Sequence, residues 1–104
     1  MRNLDTASFK ALLDSGTAVL LDVRMPEELE IAALPDAVNI PLPELGARLG
    51  ELNPQAPIAV LCHHGVRSEM AGRFLERNGF VDVAHLSGGI DAWSLEIDDS
   101  VPRY

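Results

Sequence analysis

The sequence predicts an α/β domain built on a mainly parallel central sheet. Two observations carry that expectation. The apolar runs Ala18 to Val23 and Ile58 to Leu61 lack two-residue alternation, as strands buried on both faces do. Segments with helical spacing of apolar residues lie between and around them, so strands and helices alternate. No repeat or low-complexity stretch interrupts the pattern. With 104 residues, 47% of them hydrophobic, the chain has material for one core but hardly for two. One domain over residues 1–104 is expected.

The elements follow in order. Asp5 or Thr6 caps a first helix whose apolar face is Phe9, Leu12 and Leu13, with Gly16 at its exit. Ala18 to Val23 is a buried strand. Pro26, Glu27 and Glu28 open a second helix, where a first-turn proline and acidic residues suit the positive end of the dipole. Val38 to Ile40 is a short strand closed by Pro41, and Pro43 to Gly50 a short helix with Leu45 and Leu49 on one face. Ile58 to Leu61 is a second buried strand, followed directly by Cys62. Ser68 to Asn78 reads as a helix with Met70, Ala71, Phe74 and Leu75 at helical spacing and Gly79 as its stop. Val81 to His85 is a further strand, Ser87-Gly88-Gly89 a tight turn, Ile90 to Leu95 a last helix, and Asp98 to Tyr104 a tail.

Composition excludes several functions. A net charge of -8 argues against a nucleic-acid surface and against docking on anionic membranes. It leaves room for a small anion, because a local set of amides and one cation can bind an anion whatever the total charge. The single cysteine rules out an internal disulfide. Residues 1–5 do not read as a signal peptide, and the apolar stretch Ala18 to Leu21 is far short of the roughly 20 residues that span a bilayer. A soluble cytoplasmic protein is the expectation.

The informative segment is Ile58-Ala59-Val60-Leu61-Cys62-His63-His64-Gly65-Val66-Arg67-Ser68, which reads strand, loop, helix start. Ligands bind at the carboxyl ends of parallel strands, where Cys62 falls. The free amides and dipole of a helix N-terminus favour negative charge. A thiolate is the reactive form of cysteine, and both a helix N-terminus and a cation favour it. Arg67 is the candidate cation. Gly65 permits the turn that lets amides converge, and Ser68 can cap the helix and donate to the sulfur. A lone cysteine after an apolar strand can equally be a small core hydrophobe; the Gly-Val-Arg-Ser that follows favours a functional thiol. His63 and His64 invite a metal reading, but adjacent loop side chains point apart, and no acidic or second cysteine partner stands at zinc spacing. They are read as lining the mouth of the site, and no metal is expected.

These residues resemble the rhodanese family. Cys62-His63-His64-Gly65-Val66-Arg67-Ser68 is similar to its active-site loop. Leu21-Asp22-Val23-Arg24 with Pro26-Glu27-Glu28, then Leu34 to Pro41, then Leu86-Ser87-Gly88-Gly89-Ile90-Asp91-Ala92-Trp93 resemble its other signatures, so the likeness covers nearly the whole chain. It departs at Ala32 to Ala37, where a Gly-His pair is missing and Asp36 replaces a glycine. The resemblance implies a three-layer fold with helices flanking the sheet. It implies a sulfurtransferase without cofactor that moves sulfane sulfur from a donor such as thiosulfate to cyanide or a thiol through a persulfide on Cys62. His63, His64, Gly65, Val66, Arg67 and Ser68 would hold the substrate.

Cys62 to Arg67 spans six residues, Cys-x4-Arg. Related phosphatases have a loop one residue longer, sized for phosphate or arsenate, which counts against that chemistry here. Asp22 and Arg24 are read as structural, ion-paired with each other or with Glu28, and Trp93 as packing beneath the Gly88-Gly89 turn. The final Ser100 to Tyr104 resembles rhodanese domains found alone or fused behind ubiquitin-activating-like enzymes of sulfur metabolism. That points to a sulfur-carrier or sulfur-activating protein as a partner. The alternatives kept open are a persulfide relay or binding module, a phosphatase or arsenate reductase, and a redox-sensing thiol.

Overall fold

A computed structural model describes residues 1–104. Five strands, β1 (Arg2–Leu4), β2 (Val19–Asp22), β3 (Val38–Asn39), β4 (Ile58–Leu61) and β5 (Val83–Leu86), pair entirely in parallel in the order β1-β5-β4-β2-β3. The chain runs outward from β2 to β3 and, after returning, the other way from β4 to β5. Parallel sheets bind ligands at the carboxyl ends of strands beside such a divergence.

The helices are α1 (Thr6–Asp14), α2 (Pro26–Ile31), α3 (Val66–Arg77) and α4 (Gly89–Glu96). They cover both faces of the sheet, which makes three layers. Within β4 and just beyond it, Ile58, Val60 and Cys62 face one way, into a core with Leu45, Ala71, Leu75 and Phe80. Ala59 and Leu61 face the other, into a core with Phe9, Leu86, Ile90 and Trp93. Both faces being buried explains why β4 carries no polar alternation. Phe9 of α1 meets Trp93 of α4 edge to face at 6.4 Å, so Trp93 is packing, as expected.

Most element ends agree with the sequence reading, and the exceptions have physical reasons. Asp5 caps α1 by accepting the Ser8 amide at 2.8 Å. The strand β1 was not foreseen, because Arg2-Asn3-Leu4 has no apolar pattern and is a strand only through its ladder with β5. The helix expected over Pro43 to Gly50 is instead two 3-10 segments, Leu42–Glu44 and Gly46–Glu51. Pro43, Gly46 and Gly50 are poor α-helix residues, and Leu45 still fills the core from there. β5 starts later than expected, leaving Val81 exposed, and Met70, placed on the helix's apolar face, is 57% exposed. Asp36 sits at φ 64°, so the aspartate adopts the left-handed backbone that a glycine would supply.

Candidate active site

Two parallel strands deliver the candidate groups to one end of the sheet. β4 ends at Leu61, and Cys62 follows with its side chain on the α3 face. The residue is 1% exposed, so its sulfur lies on the floor of the loop. The expected core character of a cysteine after an apolar strand is therefore present, but two polar groups also reach the sulfur. The Gly65 amide donates to Sγ at 3.0 Å, and the Ser68 hydroxyl lies 3.4 Å away.

The loop owes its shape to Gly65 at φ 107°, the residue just before α3. A side chain there would put Cβ 1.9 Å from the Ser87 carbonyl oxygen. The helix therefore starts at Val66, not at Ser68 as the sequence reading had it. Ser68 is within the first turn and does not cap from outside; its Oγ lies 3.1 Å from the Gly65 carbonyl oxygen. The first amides of α3 lack intrahelical acceptors, as at every helix start, and they follow directly on the Gly65 amide that donates to the sulfur.

The Ser87-Gly88-Gly89 turn holds the loop from the other side. The Ile90 amide donates to the Cys62 carbonyl at 2.9 Å, and the Asp91 amide to that of His63 at 3.2 Å. Gly89, at φ 65°, has no room for a Cβ, which would lie 2.2 Å from the His63 carbonyl oxygen. The close approach expected of these glycines is thus a direct contact between the β5–α4 turn and the loop.

Arg67 does not point an uncommitted charge at the sulfur. Its two terminal nitrogens engage the Glu28 carboxylate at 2.7 and 2.8 Å. The guanidinium holds that carboxyl at a pKa of about 2, and the pairing raises the arginine's own pKa. Glu28 also accepts the Met25 amide and the Tyr104 hydroxyl, each at 2.9 Å.

Arg24, expected to pair with Asp22 or Glu28, is fully buried and paired with Asp22 at 2.7 Å. From Glu28 it takes only the backbone carbonyl, at 3.4 Å, while its other donors reach Ala32 O and the Tyr104 hydroxyl. Asn39 in β3 donates to the carbonyls of Asp22 and Arg24, both at 2.9 Å, and so fixes the loop after β2.

His63 and His64 lie at the rim and, against the expectation that they point apart, their rings are 3.8 Å from each other, while the Tyr104 ring stacks on His63 at 3.8 Å and 6°. Burial pushes the His63 imidazole below its ordinary pKa, and the neighbouring His64 adds to the shift. Tyr104, read as tail, thus packs onto the site. Sequence reasoning also missed Asn3 and His85. The His85 Nδ1 lies 2.8 Å from Ser68 Oγ, and its Nε2 lies 2.8 Å from Asn3 Oδ1. Nothing in the sequence near Cys62 signals either residue.

The arrangement is a sulfur atom under an amide and a hydroxyl, at the base of a glycine-turned loop, with a carboxylate-bound arginine beside it. Comparison with known proteins bears on that geometry. The model of the rhodanese-like domain matches residues 5–96. A putative sulfur carrier protein, YrkF of Bacillus subtilis, is 42% identical over 88 residues, covering 84% of this chain and 48% of that protein. The adenylyltransferase and sulfurtransferase UBA4 of Meyerozyma guilliermondii is 35% identical over 94 residues, covering 83% of this chain and 22% of that protein. The chain thus spans less than half the length of either curated relative. A rhodanese-related protein from Thermoplasma volcanium superposes with a TM-score of 0.83 at 31% identity, covering 98% of this chain and 96% of that one. Loop, signatures and sheet agree, and the chain belongs to the rhodanese-like domain family.

Proposed function

We propose that residues 1–104 form one sulfurtransferase domain that carries sulfane sulfur as a persulfide on Cys62, with thiosulfate as a donor and cyanide or a thiol as an acceptor. The observation that carries this reading is the Cys62 sulfur on the loop floor, 3.0 Å from the Gly65 amide at the start of α3. A thiolate there attacks the outer sulfur of the donor. The new S–S bond forms as the donor's S–S bond breaks, and its electron pair leaves with sulfite.

The persulfide then places the transferable sulfur about 2 Å further out, among the amides of His63 to Ser68, whose N–H groups offset its negative charge. An acceptor nucleophile takes that sulfur and restores the Cys62 thiolate, so the order is ping-pong. Each terminal nitrogen of Arg67 retains one N–H beyond its bond to Glu28, and the departing sulfite shares the guanidinium with that carboxylate. No step needs a metal or an organic cofactor.

A second reading, in which the acceptor is a partner protein, draws on Val66 and Met70. They are 70% and 57% exposed, one turn apart at the start of α3. The similarity to a protein named as a sulfur carrier supports the same reading.

The test is incubation with thiosulfate, intact mass measurement, then addition of cyanide and assay of thiocyanate. The expected result is a gain of one sulfur that cyanide removes and that Cys62→Ser never acquires. Hydrolysis of an aryl phosphate without sulfur uptake would overturn the proposal. Sulfur loading with little transfer to cyanide, but fast transfer to a sulfur-carrier protein, would favour the second reading.

A further inference from the structure

Behind the sulfur runs a chain of polar groups that the transfer steps leave unused, buried from Cys62 to His85 and reaching the surface at Asn3. Cys62 Sγ, Ser68 Oγ, His85 Nδ1, His85 Nε2 and Asn3 Oδ1 follow one another at 3.4 Å, then 2.8 Å, then, across the imidazole ring, 2.8 Å. Cys62, Ser68 and His85 are exposed by 1%, 0% and 3%. The histidine belongs to β5 and the asparagine to β1, in register as partners in the ladder.

Hydrogen-bond capacity settles the direction of this chain. Asn3 Oδ1 only accepts, so His85 Nε2 carries the proton, and the Nδ1 of a neutral ring is an acceptor. Ser68 then donates its O–H to Nδ1, and its lone pair faces the Cys62 S–H. The Gly65 carbonyl, 3.1 Å from Ser68 Oγ, also takes the Glu69 amide, whereas Nδ1 at 2.8 Å is the shorter contact and has no other donor.

We propose that His85 is a positioning residue that receives the Cys62 thiol proton through the Ser68 hydroxyl, with Asn3 fixing the receiving tautomer. The S–H bond breaks as an O–H bond forms on Ser68, and the original Ser68 O–H breaks as Nδ1–H forms. The product is a thiolate that accepts the Ser68 O–H, and an imidazolium that donates Nδ1–H to Ser68 and Nε2–H to Asn3. No atom is left without a partner in either state. The proposal rests on Cys62 reacting as a thiolate, as in the transfer above.

Burial holds the imidazole below its ordinary pKa, which favours the neutral ring with Nδ1 open to the Ser68 hydroxyl; the imidazolium formed in the relay is offset by the thiolate formed with it. The charges near it come from two elements. On α3, Glu69 favours the imidazolium and Arg73 opposes it, and the two pair with each other at 3.0 Å. At β1 and the residue before it, Arg2 pairs with Asp82 and the Met1 ammonium with Glu76. On the opposite side β4 presents only Val60 in register. The proton of the thiol is therefore the one this histidine is placed to exchange.

The test is the rate of Cys62 alkylation by iodoacetamide as a function of pH, which reads the thiolate without any sulfur chemistry. In His85→Asn, which can hydrogen-bond but cannot take a proton, the rate is expected to fall about tenfold near pH 6 and to stay within about twofold near pH 10. Ser68→Ala is expected to give the same pH-selective loss, and Ser68→Thr to restore the wild-type profile. An equal loss at every pH, or none, would overturn the relay.

Should His85→Asn misfold, nitrogen-15 shifts of the wild-type imidazole decide instead. A protonated Nε2 with an accepting Nδ1 supports the relay, and the opposite tautomer overturns it. Sulfur loading that persists beside an unaltered alkylation profile sinks the relay but not the proposed function. A profile that shifts in a protein that never loads sulfur does the reverse.

Discussion

The loop after β2 and the loop after β4 leave neighbouring strands at the same end of the sheet, and each contains an arginine. After β2, Arg24 is wholly buried, and its donors are taken by Asp22, the Ala32 and Glu28 carbonyls and the Tyr104 hydroxyl. After β4, Arg67 is one-third exposed with a single carboxylate partner, and the Cys62 sulfur has one amide and one hydroxyl beside it. A buried charge that finds every partner within the chain has nothing left for a ligand, and it acts as scaffold. Groups left incompletely paired at a helix start are where an outside anion or a transferred atom fits. Two similar strand–loop–helix units have thus become one support and one candidate site. Glu28 joins them by reaching from the first to the arginine of the second.

That contrast can be broken at its strongest point in the second loop. Gly65→Ala forces a side chain into left-handed backbone against the Ser87 carbonyl. It should cost about 4 kcal/mol, combining backbone strain and overpacking, and should abolish sulfur loading in whatever protein remains folded. Urea unfolding alongside the mass assay checks both halves, and a well-loaded variant of wild-type stability would mean the turn does not shape the site.

The first loop should respond differently. Asp22→Asn leaves Arg24 buried without its counter-charge and should cost about 3 kcal/mol, while sulfur loading per folded molecule stays close to wild type. Thermal unfolding combined with single-turnover loading separates the two. A large fall in loading without a fall in stability would make the pair part of the site and erase the comparison.

The link between the loops should show the smallest effect. Glu28→Gln is expected to cost about 1 kcal/mol near neutral pH, since the pair is partly exposed. The sign of its pH dependence follows from a carboxyl held at about 2 against an ordinary value of 4.5. The stabilisation is complete above pH 4.5 and disappears as pH falls through 2. The difference in Tm between wild type and variant should therefore shrink steadily between those limits. A difference that stays constant on acidification would show that the ion pair is not its source.

Sequence and structure part company along the same line as the two loops. Strand β4, the turn at Gly65, the Cys-x4-Arg spacing and the Gly88-Gly89 contact are legible because each follows from a few adjacent residues. An unbroken apolar run means burial on both faces, and a glycine marks a backbone that no side chain tolerates. The helix start slipped by two residues, because Gly65 serves as the cap and Ser68, a common capping residue, faces the sulfur from inside the first turn.

The partners of those residues are a different matter. Arg67 finds Glu28 across 39 positions, Ser68 finds His85 across 17, and His85 finds Asn3 across 82. By itself the sequence determined a strand–loop–helix unit with a thiol between the strand and the helix start, and the two-faced core that holds it. Which side chains neutralise the arginine and stand behind the sulfur was decided only by the order β1-β5-β4-β2-β3, because that order brings distant residues to one end of one sheet. Local backbone preference acts over a few residues, whereas such pairings exist only once the layers have packed.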